Sequence, residues 1–212
     1  MRNTRGAEGQ LGHGDTVNLG DDELPVTAGA VDLGGAAVRV VAGGAHTCAQ
    51  LVGGSVRCWG DGAHGQLGYG NTERVGDDET PAEAGPVPVG GPVAGLAAGR
   101  EHTCALLETG AVRCWGRGDF GQLGYGDTKA IGDGEVPLDV GDLDLGGHVA
   151  LAVFAGPLSR STCVLLDEGS VRCWGDNQYG QLGYGHTEQL GDELGEHPGY
   201  LPDILIIHDD EA

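Results

Sequence analysis

Two recurring motifs and a glycine-rich composition predict an all-β fold. The fold expected is a β-propeller segment of about 3.5 four-stranded blades, either an incomplete ring or one completed by association. The 212-residue chain holds 43 Gly and 9 Pro, close to a quarter of its length. Each Gly costs a helix about 1 kcal/mol relative to Ala, which excludes long helices and coiled coils. A net charge of −21 and a low content of large apolar residues bring the chain near the composition of disordered proteins. Its periodicity sets it apart from them.

The first motif, Gly-Gln-Leu-Gly, occurs at residues 9–12, 65–68, 121–124 and 180–183, in steps of 56, 56 and 59 residues. Each copy runs on to an acidic cluster: Asp21-Asp22-Glu23, Asp77-Asp78-Glu79, Asp133 with Glu135, and Asp192-Glu193. The second motif precedes the last three copies. It reads His46-Thr47-Cys48-Ala49 and then Val56-Arg57-Cys58-Trp59-Gly60, and it recurs over 102–116 and 161–175.

Each unit reads as short antiparallel strands. Val38-Arg39-Val40-Val41, Cys-Ala-x-Leu and Val-Arg-Cys-Trp are β-prone and bounded by Gly. A hairpin centred between the two cysteines puts Val52-Gly53-Gly54, Glu108-Thr109-Gly110 and Asp167-Glu168-Gly169 at its tips. Three-residue loops with Gly last suit a type I turn followed by a left-handed residue. That register sets Cys48 opposite Cys58, Cys104 opposite Cys114, and Cys163 opposite Cys173. The repeats divide as a partial unit over 1–35 and full units over 36–92, 93–147 and 148–212, all in one propeller domain.

The combined pattern His-Thr-Cys-Ala-x-Leu, Gly-x-Val-Arg-Cys-Trp-Gly and Gly-Gln-Leu-Gly-x-Gly resembles the repeat of the regulator of chromosome condensation family, in its exported, Cys-containing bacterial form. The resemblance runs over almost the whole chain. It implies a propeller of about seven blades that binds other macromolecules, in a family that includes a guanine-nucleotide exchange factor, plant photoreceptors and a secreted β-lactamase inhibitor. Fold alone transmits none of these activities. The repeat count departs from the family. Asn3 aligns with Trp59, so the chain opens inside a hairpin; the expectation is a fragment or misassigned start, with self-association through open blade edges as the competing account.

Opposed cysteines in a non-hydrogen-bonded pair lie within disulfide range. Three intrablade disulfides are expected, with buried reduced thiols as the alternative; zinc is disfavoured because Cys-x-x-Cys spacing is absent. Disulfides imply an oxidising compartment, extracellular or cell envelope, although the first thirty residues show no signal peptide.

Trp59, Trp115 and Trp174 share a strand face with Arg57, Arg113 and Arg172. They are expected to pack between blades with a guanidinium over each indole. Gln10, Gln66, Gln122 and Gln181 are read as structural repeat residues, and His46 and His102 as structural hydrogen-bonders.

Asp21, Asp22, Asp77, Asp78, Asp133, Glu135, Asp192 and Glu193 form the candidate binding rim, a solvated edge suited to a basic protein partner. Calcium, which takes such oxygen ligands, is the alternative, and no cofactor is otherwise expected. With 11 basic against 32 acidic residues the surface repels nucleic acid, and no apolar run reaches the length of a membrane span. The glycine motif is neither followed by a helix pattern nor by Gly-Lys-Ser/Thr, which argues against a phosphate loop. No nucleophile elbow, catalytic triad or selected carboxylate pair is visible. The function expected is a non-enzymatic interaction or scaffold module, with an enzyme regulator (exchange factor or secreted inhibitor) and a glycan-processing enzyme as alternatives.

Overall fold

A computed structural model describes residues 6–20, 22 and 24–204. Among the described residues nine strands form three antiparallel sheets, each of three consecutive strands. They are β1 (Ala37–Ala42), β2 (His46–Leu51) and β3 (Val56–Gly60); β4 (Val93–Ala98), β5 (His102–Leu107) and β6 (Val112–Gly116); and β7 (Ala150–Phe154), β8 (Ser161–Leu166) and β9 (Val171–Gly175). The first strands β1, β4 and β7 lie side by side along the inside of an arc. Their concave side is a groove of about 370 Å³ lined by Arg39, Val41, Leu96, Leu151 and Phe154.

The hairpins take the register that the cysteine spacing predicts. Cys48 faces Cys58, Cys104 faces Cys114 and Cys163 faces Cys173. All three pairs are disulfides, each with its Cα atoms 4.1 Å apart. Closing a loop this short constrains the unfolded chain by roughly 3 kcal/mol per bridge in the chain-entropy account. At the hairpin tips Gly54, Gly110 and Gly169 take φ of 81°, 85° and 87°.

The expected fourth strand of each blade is reduced to its ends. Val75, Ile131 and Leu190 bridge Gly60, Gly116 and Gly175. Farther on, the amides of Val87, Leu143 and Ile204 donate to the carbonyls of Val56, Val112 and Val171. In the first two repeats a one-turn helix beginning at Pro81 or Pro137 lies between these contacts. Proline has no N–H for a ladder and presets helical φ, so the chain leaves the sheet edge there.

Successive blades approach closely at the glycine motif. A Cβ on Gly12, Gly68 or Gly124 would lie 2.8, 2.7 or 2.6 Å from the indole nitrogen of Trp59, Trp115 or Trp174, and all three glycines have positive φ. Gly85 shares the positive φ but has nothing within 4 Å of its Cβ position. Gly85→Ala should therefore cost only backbone strain, because φ 84° with ψ −176° is open essentially to Gly alone, about 1–3 kcal/mol, whereas Gly68→Ala adds a clash with a buried ring. Urea denaturation of the two variants should show the larger loss for Gly68→Ala; equal losses would contradict the close-packed joint.

Candidate functional site

The glycine motif works as a stitch between blades. The backbone carbonyls of Gln10, Gln66 and Gln122 each accept from the next blade's indole, with Trp59, Trp115 and Trp174 Nε1 at 3.0 Å. The same carbonyls accept from Thr47, Thr103 and Thr162 Oγ1 at 3.2, 2.9 and 2.9 Å. Each threonine gives its only proton to a carbonyl, so Thr103 and Thr162 accept from His46 and His102 Nε2, both at 2.9 Å. These histidines thus carry their proton on Nε2. Burial lowers their pKa values to about 4 and about 3. In the third blade Ser161 stands in the histidine's place and bonds Ser159 instead.

The arginines do not cover the indoles. Arg57 Nε donates to the Leu33 carbonyl, Arg113 to Asp142 and the Val89 carbonyl, and Arg172 to Asp203 and the Leu145 and Pro198 carbonyls. The outer segment offers these guanidiniums carbonyls and carboxylates, stronger partners than an indole already buried between blades. Among the described residues the ring under a guanidinium is Phe120, with Arg160 at 4.8 Å and Arg117 at 6.0 Å from its centroid.

The glutamine side chains hold a second, unexpected feature. Gln10, Gln66, Gln122 and Gln181 Oε1 accept from the amides of Glu8, His64, Phe120 and Tyr179 at 2.8–2.9 Å. Each repeat therefore fixes the backbone of the residue before Gly-Gln-Leu-Gly while its side chain changes from Glu to His, Phe and Tyr. Arg117 and Arg160 lie over Phe120, Arg100 and Arg160 line a cavity together with Tyr179, and Glu8 pairs with Arg74. The available signal was that this position changes in every repeat beside a constant Gly-Gln-Leu-Gly.

The acidic clusters are not equivalent, although three of them begin at the same place: a Cβ on Gly9, Gly65 or Gly121 would meet the backbone amide of Asp77, Asp133 or Asp192. Among the described residues one trio converges: carboxylate oxygens of Asp77, Asp78 and Glu79 lie within 4.8 Å of one another. Burial, reinforced by Asp78, raises the Glu79 pKa to about 7. Glu196 is likewise raised, by burial and then by Asp192. Asp192 also accepts from Gln189. Asp133 and Glu135 do not close into such a trio; Asp22 is exposed, and Asp21 lies outside the described residues.

Three disulfide-bonded sheets around a common inner edge define a β-propeller arc made of repeats. The chain belongs to the regulator of chromosome condensation (RCC1) repeat family: one repeat profile matches residues 37–66, 93–122 and 153–181, and a second matches 53–106. The ultraviolet-B receptor UVR8 of Arabidopsis thaliana is 36% identical over 192 residues, covering 88% of this chain and 39% of that protein. The probable E3 ubiquitin-protein ligase HERC6 of Homo sapiens is 34% identical over 197 residues, covering 90% of this chain and 18% of that protein. The chain thus spans well under half the length of these relatives. Its fold is similar to human WBSCR16, with TM-score 0.63, 23% identity, and coverage of 86% of this chain and 43% of that one. Yeast RCC1 (Prp20) bound to Kap60 gives TM-score 0.59 at 20% identity, covering 95% of this chain and 43% of that one. Among the described residues no helix is long and apolar enough to cross a membrane.

The buried histidines set a pH dependence. Their folded pKa values lie below the 6.5 of the unfolded chain, so their contribution is fully present above pH 6.5 and lost as pH falls toward 4 and 3. Glu79 acts in the opposite sense, its raised value costing stability as pH climbs from 4.5 to 7. Wild type and His46→Gln/His102→Gln should therefore be compared at each pH. Between pH 6.5 and 4.5 the wild-type denaturation midpoint should fall more steeply than the variant's; parallel curves would contradict the neutral, buried histidines.

Proposed function

We propose that the chain is a non-enzymatic protein-interaction module, exported and disulfide-bonded, that binds a partner protein through the loop face of the arc. The observation that carries this reading is the row Glu8, His64, Phe120 and Tyr179. Constant glutamines pin the backbone at each position while the side chain differs in every repeat. Repeat proteins recognise partners in this way, through rigid supports with variable contacts. The acidic rim beside that face, with the trio Asp77, Asp78 and Glu79 at one end, suits a basic segment of the same partner. No cofactor belongs to the activity.

The three disulfides support an extracellular or cell-envelope setting. Protein isolated from its own organism and alkylated without reductant should be lighter than the fully reduced chain by about 6 Da, two hydrogens per bridge. Free thiols in that sample would remove the exported assignment.

Regulation of an enzyme, as an exchange factor or secreted inhibitor, is the second reading. Family membership favours it, because a regulator also works by binding a protein. The test is cross-linking capture from the organism's envelope and medium fractions with wild type, His64→Ser/Phe120→Ser, and Asp77→Asn/Asp78→Asn. The loop-face variant should lose the captured partner at unchanged circular dichroism, and the rim variant should weaken it in a salt-dependent way. Capture untouched by both variants, or turnover of polysaccharides by the purified chain, would overturn the reading.

A further inference from the structure

A second row of pinned, variable positions meets the first. The carbonyls of Ala45, Glu101 and Arg160 accept from the backbone amides of Asp61, Arg117 and Asp176 at 2.8–3.0 Å. Each of these three residues stands just before β2, β5 or β8. The backbone is therefore fixed in every repeat while the side chain changes from Ala to Glu to Arg. The two rows touch where Arg160 lies over the Phe120 ring, 4.8 Å from its centroid. Phe120 follows β6 and Arg160 precedes β8, so this contact is internal to the arc.

Arg160 differs from most of the arginines. Arg74, Arg100, Arg113, Arg117 and Arg172 each hold a carboxylate at 2.5–3.7 Å, and Arg57 donates to the Leu33 carbonyl. In a chain with 32 acidic residues, the guanidinium of Arg160 has no such acceptor among the described residues, and its Nε is buried without a partner. Asp176, whose amide its carbonyl holds, turns its carboxylate to Gln178 instead. A guanidinium laid on a ring spends its face there and keeps its N–H edge for a planar acceptor. Arg117 approaches the same ring at 6.0 Å, and Glu101 ties it to Arg100. Three cations thus gather around Glu101 and Asp119, and both of those carboxylates are already paired with Arg117.

We propose that Arg160, held on Phe120, is the seat for an aspartate or glutamate side chain of the partner protein. The assignment rests on the reading of the chain as an interaction module and adds an acidic contact to the basic segment given to the acidic rim. The ring fixes the guanidinium before the partner arrives, so little side-chain freedom is lost when its N–H groups meet a carboxylate. The net charge of −21 opposes an acidic ligand only weakly at this spot, because charges beyond about 8 Å are screened at physiological salt. A partner that is basic throughout leaves Arg160 unsatisfied and faces a like charge there, so the site selects for a partner carrying both signs.

The test is the fluorescence anisotropy of a labelled hexaglutamate peptide titrated with the full chain at about 0.15 M salt, with hexaglutamine as the blank. It is repeated with Arg160→Gln, with Phe120→Leu, which removes the ring and leaves the charge, and with Lys129→Gln, which removes an exposed cation elsewhere. Wild type should bind hexaglutamate and not hexaglutamine. Arg160→Gln should raise the dissociation constant at least about tenfold, Phe120→Leu should raise it too, and Lys129→Gln should leave it unchanged. No binding by wild type would overturn the proposal, as would equal binding by wild type and both site variants, or equal losses in Arg160→Gln and Lys129→Gln. Capture of the native partner separates this proposal from the broader reading. A partner lost by His64→Ser/Phe120→Ser but kept by Arg160→Gln would leave the interaction module standing and remove the acidic contact.

Discussion

A single acceptor, the backbone carbonyl of the repeated glutamine, holds the blades in order. It receives two donors from the following blade, an indole N–H and a threonine hydroxyl, and in two joints a histidine of the glutamine's own blade reaches across to that threonine and completes the chain of bonds. A buried carbonyl with no partner costs roughly 1–3 kcal/mol. The glycines flanking it follow from this geometry: a Cβ on Gly12, Gly68 or Gly124 would overlap the indole nitrogen, and one on Gly9, Gly65 or Gly121 would meet the backbone of the next repeat. The disulfides serve the same joint from within the blade, holding together the two strands that carry Thr and Trp.

This division of labour explains why a chain so poor in large apolar residues folds at all. The buried core is repeated rather than deep: Leu67, Leu123 and Leu182, the three tryptophans and the valines of the third strands recur in each unit. Each sheet is too small to bury its faces alone, and stacking supplies the missing partner. Most acidic residues stay on loops open to water, with Glu79 and Glu196 partly buried, and the outer faces of β1 and β7 carry Val40 and Phe154, whose counterparts stacking covers.

Much of this was legible in the sequence because repetition turns local patterns into geometry. The equal spacing of the cysteine pairs, with a glycine at a matching place between them, fixed the hairpin register and hence the disulfide pairing. Trp115 and His102 stood out by their recurrence, and the structure buries both and hydrogen-bonds them across a joint. The fourth strand was not legible, because Pro81 and Pro137 lift the chain from the sheet edge over a few residues that look extended in composition. The arginine contacts were missed for a different reason. Alternation correctly places Arg113 and Trp115 on one strand face, but the guanidinium's partners, Asp142 and the Val89 carbonyl, come from distant segments. Phe120 and Tyr179 escaped notice because a motif search rewards constancy, and their position changes from repeat to repeat.

The stitch is tested most directly by removing both donors at the central joint. In Thr103→Val/Trp115→Phe the Gln66 carbonyl loses both partners; Trp115→Phe alone, which leaves the same cavity but keeps the Thr103 bond, is the control, and the remaining Trp59 and Trp174 report on the blades to either side. Equilibrium unfolding followed by tryptophan fluorescence and by circular dichroism should then no longer coincide, with the fluorescence midpoint shifted to lower denaturant. Coincident transitions at the wild-type midpoint would mean that the blades are held together by something other than the glutamine carbonyl.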